Sequence, residues 1–254
     1  MIDLHSHLLP GIDDGARSLE EALQLARVAV NDGITHMTFT PHIHPHRFDN
    51  SHATIRPVFD SFKQALQDHS ISLSVAMASE VRLSAEVLAL VAENEIPFLG
   101  SWQGKHVLLL ELPPGHIPPG SDKLVQWLLD RNIVPMIAHP ERNKDIIRDF
   151  NSIAPFVEMG CLFQVTAMSM AGRFGGPAAK RAMDMLENDW ITVLASDAHN
   201  LKYRPPILSE GYMAAKAVVG ETIAKALVFD NPRVIVATGG EQGNSDSGCG
   251  CGCG

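Results

Sequence analysis

Val107-Leu108-Leu109-Leu110-Glu111 is an apolar run of strand length that ends on a carboxylate. The same arrangement recurs along the chain. His5 ends Ile2-Asp3-Leu4-His5, His42 follows the run over 34–40, and Glu80 follows the alternating stretch over 72–79. His139 closes the run over 133–139, and Asp197 follows that over 191–196. With His7, Asp14 and His199 close by, acids and imidazoles that suit metal coordination gather near the ends of apolar stretches. A carboxylate continuing such a run into a buried region costs several kcal/mol unless it is paired or coordinated. Chain order alone gives no reason for this placement, whereas a barrel of parallel strands does.

Hydrophobic periodicity predicts seven strands, over 2–5, 34–40, 72–79, 106–111, 133–139, 161–166 and 191–196. Helical patterns fall over 19–30, 55–69, 84–93, 121–131 and 178–188. Ser18 and Glu21 form the sequence signature of a capping box for the first of these. Strands separated by helices imply parallel βα units with right-handed crossovers, hence an open doubly wound sheet or a closed barrel. In an open sheet the strand ends lie along a line too long for one cluster, whereas in a barrel they surround one mouth at the C-terminal face. The expected fold is therefore α/β, a (β/α)7 TIM-like barrel over residues 1–238 with its site at the C-terminal strand ends. From Gly239 onward the chain is Gly/Ser-rich and ends in Cys-Gly repeats, which predicts a disordered tail over 239–254.

Composition excludes several classes of function. The 254 residues, 45% hydrophobic, can bury a full core. No run approaches the roughly 18 apolar residues of a membrane span, and the chain opens on Met-Ile-Asp-Leu-His without a signal-peptide pattern, so a cytoplasmic protein without direct membrane insertion is expected. A net charge of -9 and the lack of a dense Lys/Arg cluster argue against nucleic acid. The same charge repels phosphorylated substrates unless bound cations reverse it locally. Cys161 and the tail residues Cys249, Cys251 and Cys253 make no disulfide framework.

His5-Ser6-His7 puts two imidazoles on one face of the chain, where they can share an ion. In His7-Leu8-Leu9-Pro10-Gly11-Ile12-Asp13-Asp14-Gly15, two glycines allow a tight loop that turns Asp14 back toward the histidines. Among His42, His44 and His46, position favours His42 as the ligand, with His44 in reserve for a substrate contact. Arg142 and Arg204 lie a few residues beyond the His139 and Asp197 motifs and can make bidentate contacts to phosphate oxygens; as ordinary surface arginines they would only form ion pairs. Glu141 can serve as a partner for Arg142 or as a more distant acid, and no role is assigned to it.

The motifs H-x-H-L-L-P-G-I-D-D-G, T-P-H, S-E-V-R-L, L-L-E-L-P, H-P-E-R-N and S-D-A-H-N resemble, in order and over residues 1 to about 230, the polymerase and histidinol phosphatase (PHP) superfamily. Within it they are most similar to bacterial manganese-dependent protein-tyrosine phosphatases of capsule and exopolysaccharide synthesis. Asp14 and Glu111, where many PHP enzymes have histidine, point to that branch. The resemblance implies a distorted barrel and three metal ions. His5, His7, Glu80 and Asp197 hold one, Glu80, Glu111 and His139 a second, and Asp14, His42 and His199 the third. It also implies that Arg142 and Arg204 hold the phosphate. The implied substrate is a phosphotyrosine protein, the tyrosine-rich tail of a membrane-anchored bacterial kinase.

Asp14, Glu80, Glu111 and Asp197 contribute about -4 and three divalent ions about +6, so a loaded site is net positive inside an acidic protein. Imidazole and carboxylate ligands without thiolate suit Mn, Fe or Zn, and the resemblance selects Mn2+. A hydroxide bridging two metals is the expected nucleophile. Residue 167 is alanine, so Cys161 lacks the arginine of a C-x5-R phosphate loop. Three other readings share parts of this pattern. They are a PHP phosphatase of a small phosphomonoester such as histidinol phosphate, a metal-dependent amidohydrolase, and a non-catalytic metal-stabilised phosphotyrosine-binding module. A glutamate in the bridging place argues against the amidohydrolase, which usually carries a carboxylated lysine there.

Overall fold

Side-chain alternation along one strand fixes what faces the barrel interior. In the computed structural model, which describes residues 1–237, Val107 and Leu109 belong to one buried cluster and Leu108 and Leu110 to another. The first cluster, with Met136, Ala138, Leu162 and Val193, fills the barrel, and the second joins strands to the surrounding helices. Glu111 stands in phase with Val107 and Leu109, so the period of two carries its carboxylate onward to the mouth.

The strands are β1 (Ile2–Asp3), β2 (His36–Phe39), β3 (His42–Ile43), β4 (Ser74–Met77) and β5 (Glu80–Arg82), then β6 (Gly100–Trp102), β7 (Lys105–Glu111), β8 (Ile133–Ala138), β9 (Leu162–Thr166) and β10 (Val193–Ala195). Parallel pairing runs β1-β2-β4 in one sheet and β3-β5-β7-β8-β9-β10 in the other. The two sheets are halves of one wall. β2 continues into β3 and β4 into β5 across two-residue breaks, and Ala78 N–H to Phe39 O (2.9 Å) and Glu80 N–H to Pro41 O (3.2 Å) keep these paths paired. The seam closes where Asp197 N–H donates to His5 O and His7 N–H to Ala198 O, both at 2.8 Å. The seven expected strand paths are thus present as a closed barrel, two of them interrupted. Both breaks fall just before a candidate ligand, His42 or Glu80.

Several local expectations are corrected. Ser18 accepts from Glu21 N–H at 3.3 Å and caps the helix Leu19–Asn31, but the Glu21 carboxylate turns to Arg17 instead of closing the box. The second helix, His52–Asp68, starts earlier than its apolar period because Ser51 and Thr54 cap it reciprocally. Gly100–Trp102 was not expected as a strand. It pairs antiparallel with β7 through Gln103 (φ 51°) and Gly104 (φ 81°), two successive left-handed residues of the kind that close a tight hairpin. The helices Ser209–Lys225 and Asn231–Ala237 were not read from the sequence either. A non-helical Gly220 (φ 81°, ψ 171°) interrupts the first and with it any continuous apolar period. The expected tail over 239–254 lies outside the described residues.

Candidate metal centre

The mouth of the barrel collects all nine residues singled out from the sequence. His5 and His7 leave the end of β1 with their Nε2 atoms 3.1 Å apart. Glu80, fully buried at the start of β5, is the hub. Its Oε2 lies 3.3 Å from both of those atoms and 2.9 Å from His42 Nδ1, and its Oε1 lies 2.7 Å from His139 Nε2. Asp197 Oδ1 faces His5 at 3.3 Å and His7 at 3.4 Å, while Asp14 Oδ1 lies 3.3 Å from His42 Nε2 and 3.5 Å from His199 Nε2. Glu111 Oε2 is 3.9 Å from His42 Nδ1.

In space these donors fall into four overlapping sets, each within 4.8 Å. His7, Asp14, His42 and His199 form one, His5, His7 and Glu80 a second, His5, His139 and Asp197 a third, and His42, Glu80 and Glu111 the fourth. The third implied metal's ligands come together with His7 added. Glu111 groups with His42 and Glu80, whereas His139 groups with His5 and Asp197.

Two of these residues are set by backbone that few side chains adopt. His139 (φ 33°) and Asp197 (φ 51°) are left-handed, which ends each strand's alternation and turns both side chains over the mouth. A third constraint is a close approach. A Cβ on Gly15 would stand 1.9 Å from His7 O, so only glycine lets the Asp13–Gly15 turn press against the His7 backbone. Gly15→Ala is expected to displace His7 and Asp14 together and lower metal content at least about tenfold at limiting metal, read by elemental analysis of the purified protein.

The donor set fits divalent cations. Glu80 Oε2, Asp197 Oδ1, Glu111 Oε2 and His42 Nδ1 are buried and make no hydrogen bond of acceptable geometry, and together they bound the cluster. Orphaned buried acceptors are costly, and cations satisfy them. The electrostatics agree. Burial opposes charge on Glu80, yet the His5 and His42 imidazoles hold its carboxyl well below the usual range. Asp197 is likewise held down against burial by Arg204 and Arg142. Burial and the Glu80 charge push Glu111 up to about 7. Burial, with Arg142 and with His7 respectively, pulls His139 down to about 3 and His199 to about 4, so both present neutral imidazoles suited to coordination.

Outer contacts that sequence reading missed orient the imidazoles. Asp13 Oδ2 lies 2.7 Å from His7 Nδ1, accepts from His42 N–H, and leaves His7 Nε2 for the cluster. Gln164 Oε1 lies 2.9 Å from His5 Nδ1 and accepts from His139 N–H. A lone glutamine between Phe163 and Val165 was the available signal.

Arg142 and Arg204 both donate to Asp197 Oδ2, so the two expected arginines reach the mouth by gripping one carboxylate whose other oxygen faces the histidines. Two further arginines were not singled out. Arg82 pairs with Glu111 at 2.9 Å, and Arg47 with Asp14 at 3.4 Å. All four, with His44, line a cavity of about 200 Å³ over the cluster. Glu141 points away and accepts from Ser169 Oγ (2.7 Å) and Thr166 N–H. Cys161 is buried, its thiol pushed up by burial to about 12.

The family model for capsular polysaccharide synthesis, CpsB/CapC, matches residues 1–237. The chain belongs to the CpsB/CapC family. A tyrosine-protein phosphatase, YwqE of Bacillus subtilis, is 34% identical over 80% of this chain and 79% of its own. A putative tyrosine-protein phosphatase, CapC of Staphylococcus aureus, is 30% identical over 83% and 81%. The fold comparison is closer still in coverage. A crystal structure from work on YwqE from B. subtilis and CpsB from Streptococcus pneumoniae, described as unique metal-dependent tyrosine phosphatases, matches at TM-score 0.87 and 31% identity, over 94% of this chain and 95% of that one. The CpsB/CapC fold therefore spans almost all of the chain, and its mouth carries the cluster described above.

Proposed function

We propose that this chain is a metal-dependent protein-tyrosine phosphatase of capsule or exopolysaccharide synthesis that hydrolyses phosphotyrosine on a bacterial tyrosine kinase. The observation that carries the reading is Asp197. One of its oxygens faces the imidazole cluster and the other is held by Arg142 and Arg204, so cation positions and guanidinium donors meet on the two sides of a single carboxylate. A phosphate ester entering the mouth meets both.

His5, His7, Asp14, His42, Glu80, Glu111, His139, Asp197 and His199 are the proposed ligands of three Mn2+ ions, the metal following from family likeness. When bound, divalent ions supply Lewis acidity and an activated water. The chain's own residues do the rest. Arg142 and Arg204 orient the phosphoryl oxygens, and Arg82 and Arg47 add positive charge to the rim of an otherwise acidic protein. No protein nucleophile is used. The buried Cys161 has Ala167 six residues on. A phenol of pKa about 10 leaves more readily than an alkyl alcohol, which favours phosphotyrosine in a site without an assigned acid. Among the described residues no helix is long and apolar enough to cross a membrane. The enzyme is proposed to act in the cytoplasm, on the kinase's cytoplasmic tail.

The test is turnover of a phosphotyrosine peptide, a phosphoserine peptide and histidinol phosphate at equal Mn loading. The expected result is a kcat/KM for phosphotyrosine at least about tenfold above either competitor, with all activity lost on chelation. A preference for histidinol phosphate assigns the enzyme to small phosphomonoesters instead. Metal-dependent phosphopeptide binding without turnover assigns it a non-catalytic role.

A further inference from the structure

Beside the catalytic mouth lies a larger open cavity of about 630 Å³, walled by the turn that carries Asp14 and by the loop that joins His199 to Arg204. That volume falls in the range of roughly 300–1,000 Å³ typical of ligand sites. The two spaces share Asp14 as a common wall. We infer that this groove binds the polypeptide flanking the phosphotyrosine, taking an acidic side chain next to Lys202 and an apolar or aromatic one against Leu201 and Tyr203. The inference rests on the phosphotyrosine reading and adds to it a determinant of peptide choice.

The loop is built to present these side chains. The Asn200 carboxamide oxygen accepts from the backbone N–H groups of Lys202, Tyr203 and Arg204 at 3.2, 2.8 and 3.3 Å, and His199 N–H donates to Arg204 O at 2.9 Å. A loop pinned at both ends and through its middle loses little entropy on binding. It nevertheless leaves Tyr203 69% and Leu201 39% exposed, in a protein that buries most of its large apolar side chains. An exposed aromatic on a pinned loop at a groove wall is a favourable anchor for a peptide.

Charge complementarity names the partner. Within the groove each acid is already engaged, Asp13 by His7, Asp14 by His42 and His199, and Glu21 by Arg17. Lys202 makes no ion pair among the described residues, and its Nζ lies 4.9 Å from the Tyr203 ring centroid. The cation left to face an occupant is therefore Lys202, since Arg17 is taken up by Glu21. A segment with Asp or Glu next to the phosphotyrosine fits this wall, and a basic segment does not.

The experiment uses the full-length, Mn-loaded enzyme with p-nitrophenyl phosphate, an acidic-flanked phosphotyrosine peptide, and the same peptide with Asn and Gln flanks. Lys202→Ala and Tyr203→Ala are expected to leave p-nitrophenyl phosphate kinetics within about twofold of wild type. Each is expected to raise KM for the acidic peptide by about 3- to 10-fold, and only Tyr203→Ala to raise it for the neutral peptide. Lys202→Glu is expected to reverse the preference between the two peptides. Peptide kinetics that do not change, or that change only in step with p-nitrophenyl phosphate, overturn the groove while leaving the phosphatase reading intact. A wild-type enzyme that hydrolyses p-nitrophenyl phosphate but neither peptide overturns both.

Discussion

Glu80→Gln is expected to lower kcat by about 10³-fold or more, equivalent to about 4 kcal/mol of transition-state stabilisation. The substitution preserves volume and removes one charge. That charge is the anionic centre around which His5, His7, His42 and His139 are arranged, at 2.7 to 3.3 Å. A carboxamide can present only one oxygen, and its NH2 group would face imidazole nitrogens or a cation, so at least one ligand set is broken. Metal content by elemental analysis is expected to fall with activity. Wild-type turnover by a folded Glu80→Gln protein in Mn-replete buffer would mean that the hub is not Glu80.

The second large effect concerns the arginines. Arg142→Ala and Arg204→Ala are each expected to reduce kcat/KM for phosphotyrosine peptide by about 10²-fold and to weaken inhibition by inorganic phosphate. Lysine should restore little, because a point charge cannot serve Asp197 Oδ2 and a phosphoryl oxygen in one planar fork. Since both guanidinium groups hold Asp197, metal content separates two ways of failing. Unchanged metal with weaker phosphate inhibition identifies phosphate binding. Lost metal identifies the arginine as the support of a ligand. Unchanged kinetics in both variants would remove the arginines from the mechanism.

What could be read from the sequence follows from what is periodic or chemically conspicuous. The strand over 106–111 and its closing Glu111 were legible because a run of apolar residues ending on an acid has few physical explanations. His5-Ser6-His7 was legible because both side chains fall on one face. The hairpin strand Gly100–Trp102 was not, since three residues give no alternation to read and Gln103-Gly104 is not among the strong turn pairs. Asp13 was overlooked beside Asp14 because adjacent acids point to opposite sides, and nothing local says which one coordinates and which one braces His7. Arg82 was passed over because its meaning depends on Glu111, a strand away in space and 29 positions away in the chain. The break at Gly220 hid the helix Ser209–Lys225, because helices are readable elsewhere from an uninterrupted period.

The seam between His5 O and Asp197 N–H joins positions separated by most of the described chain. Every other neighbour in the barrel wall lies much nearer in sequence, so this contact carries the largest loop-closure entropy. It is also where ligands from the first strand meet ligands from the last. During synthesis His5 and His7 leave the ribosome about 190 residues ahead of Asp197, the carboxylate opposite them. A half-made chain therefore offers cations only fragments of the cluster, and full coordination and ring closure become one late event.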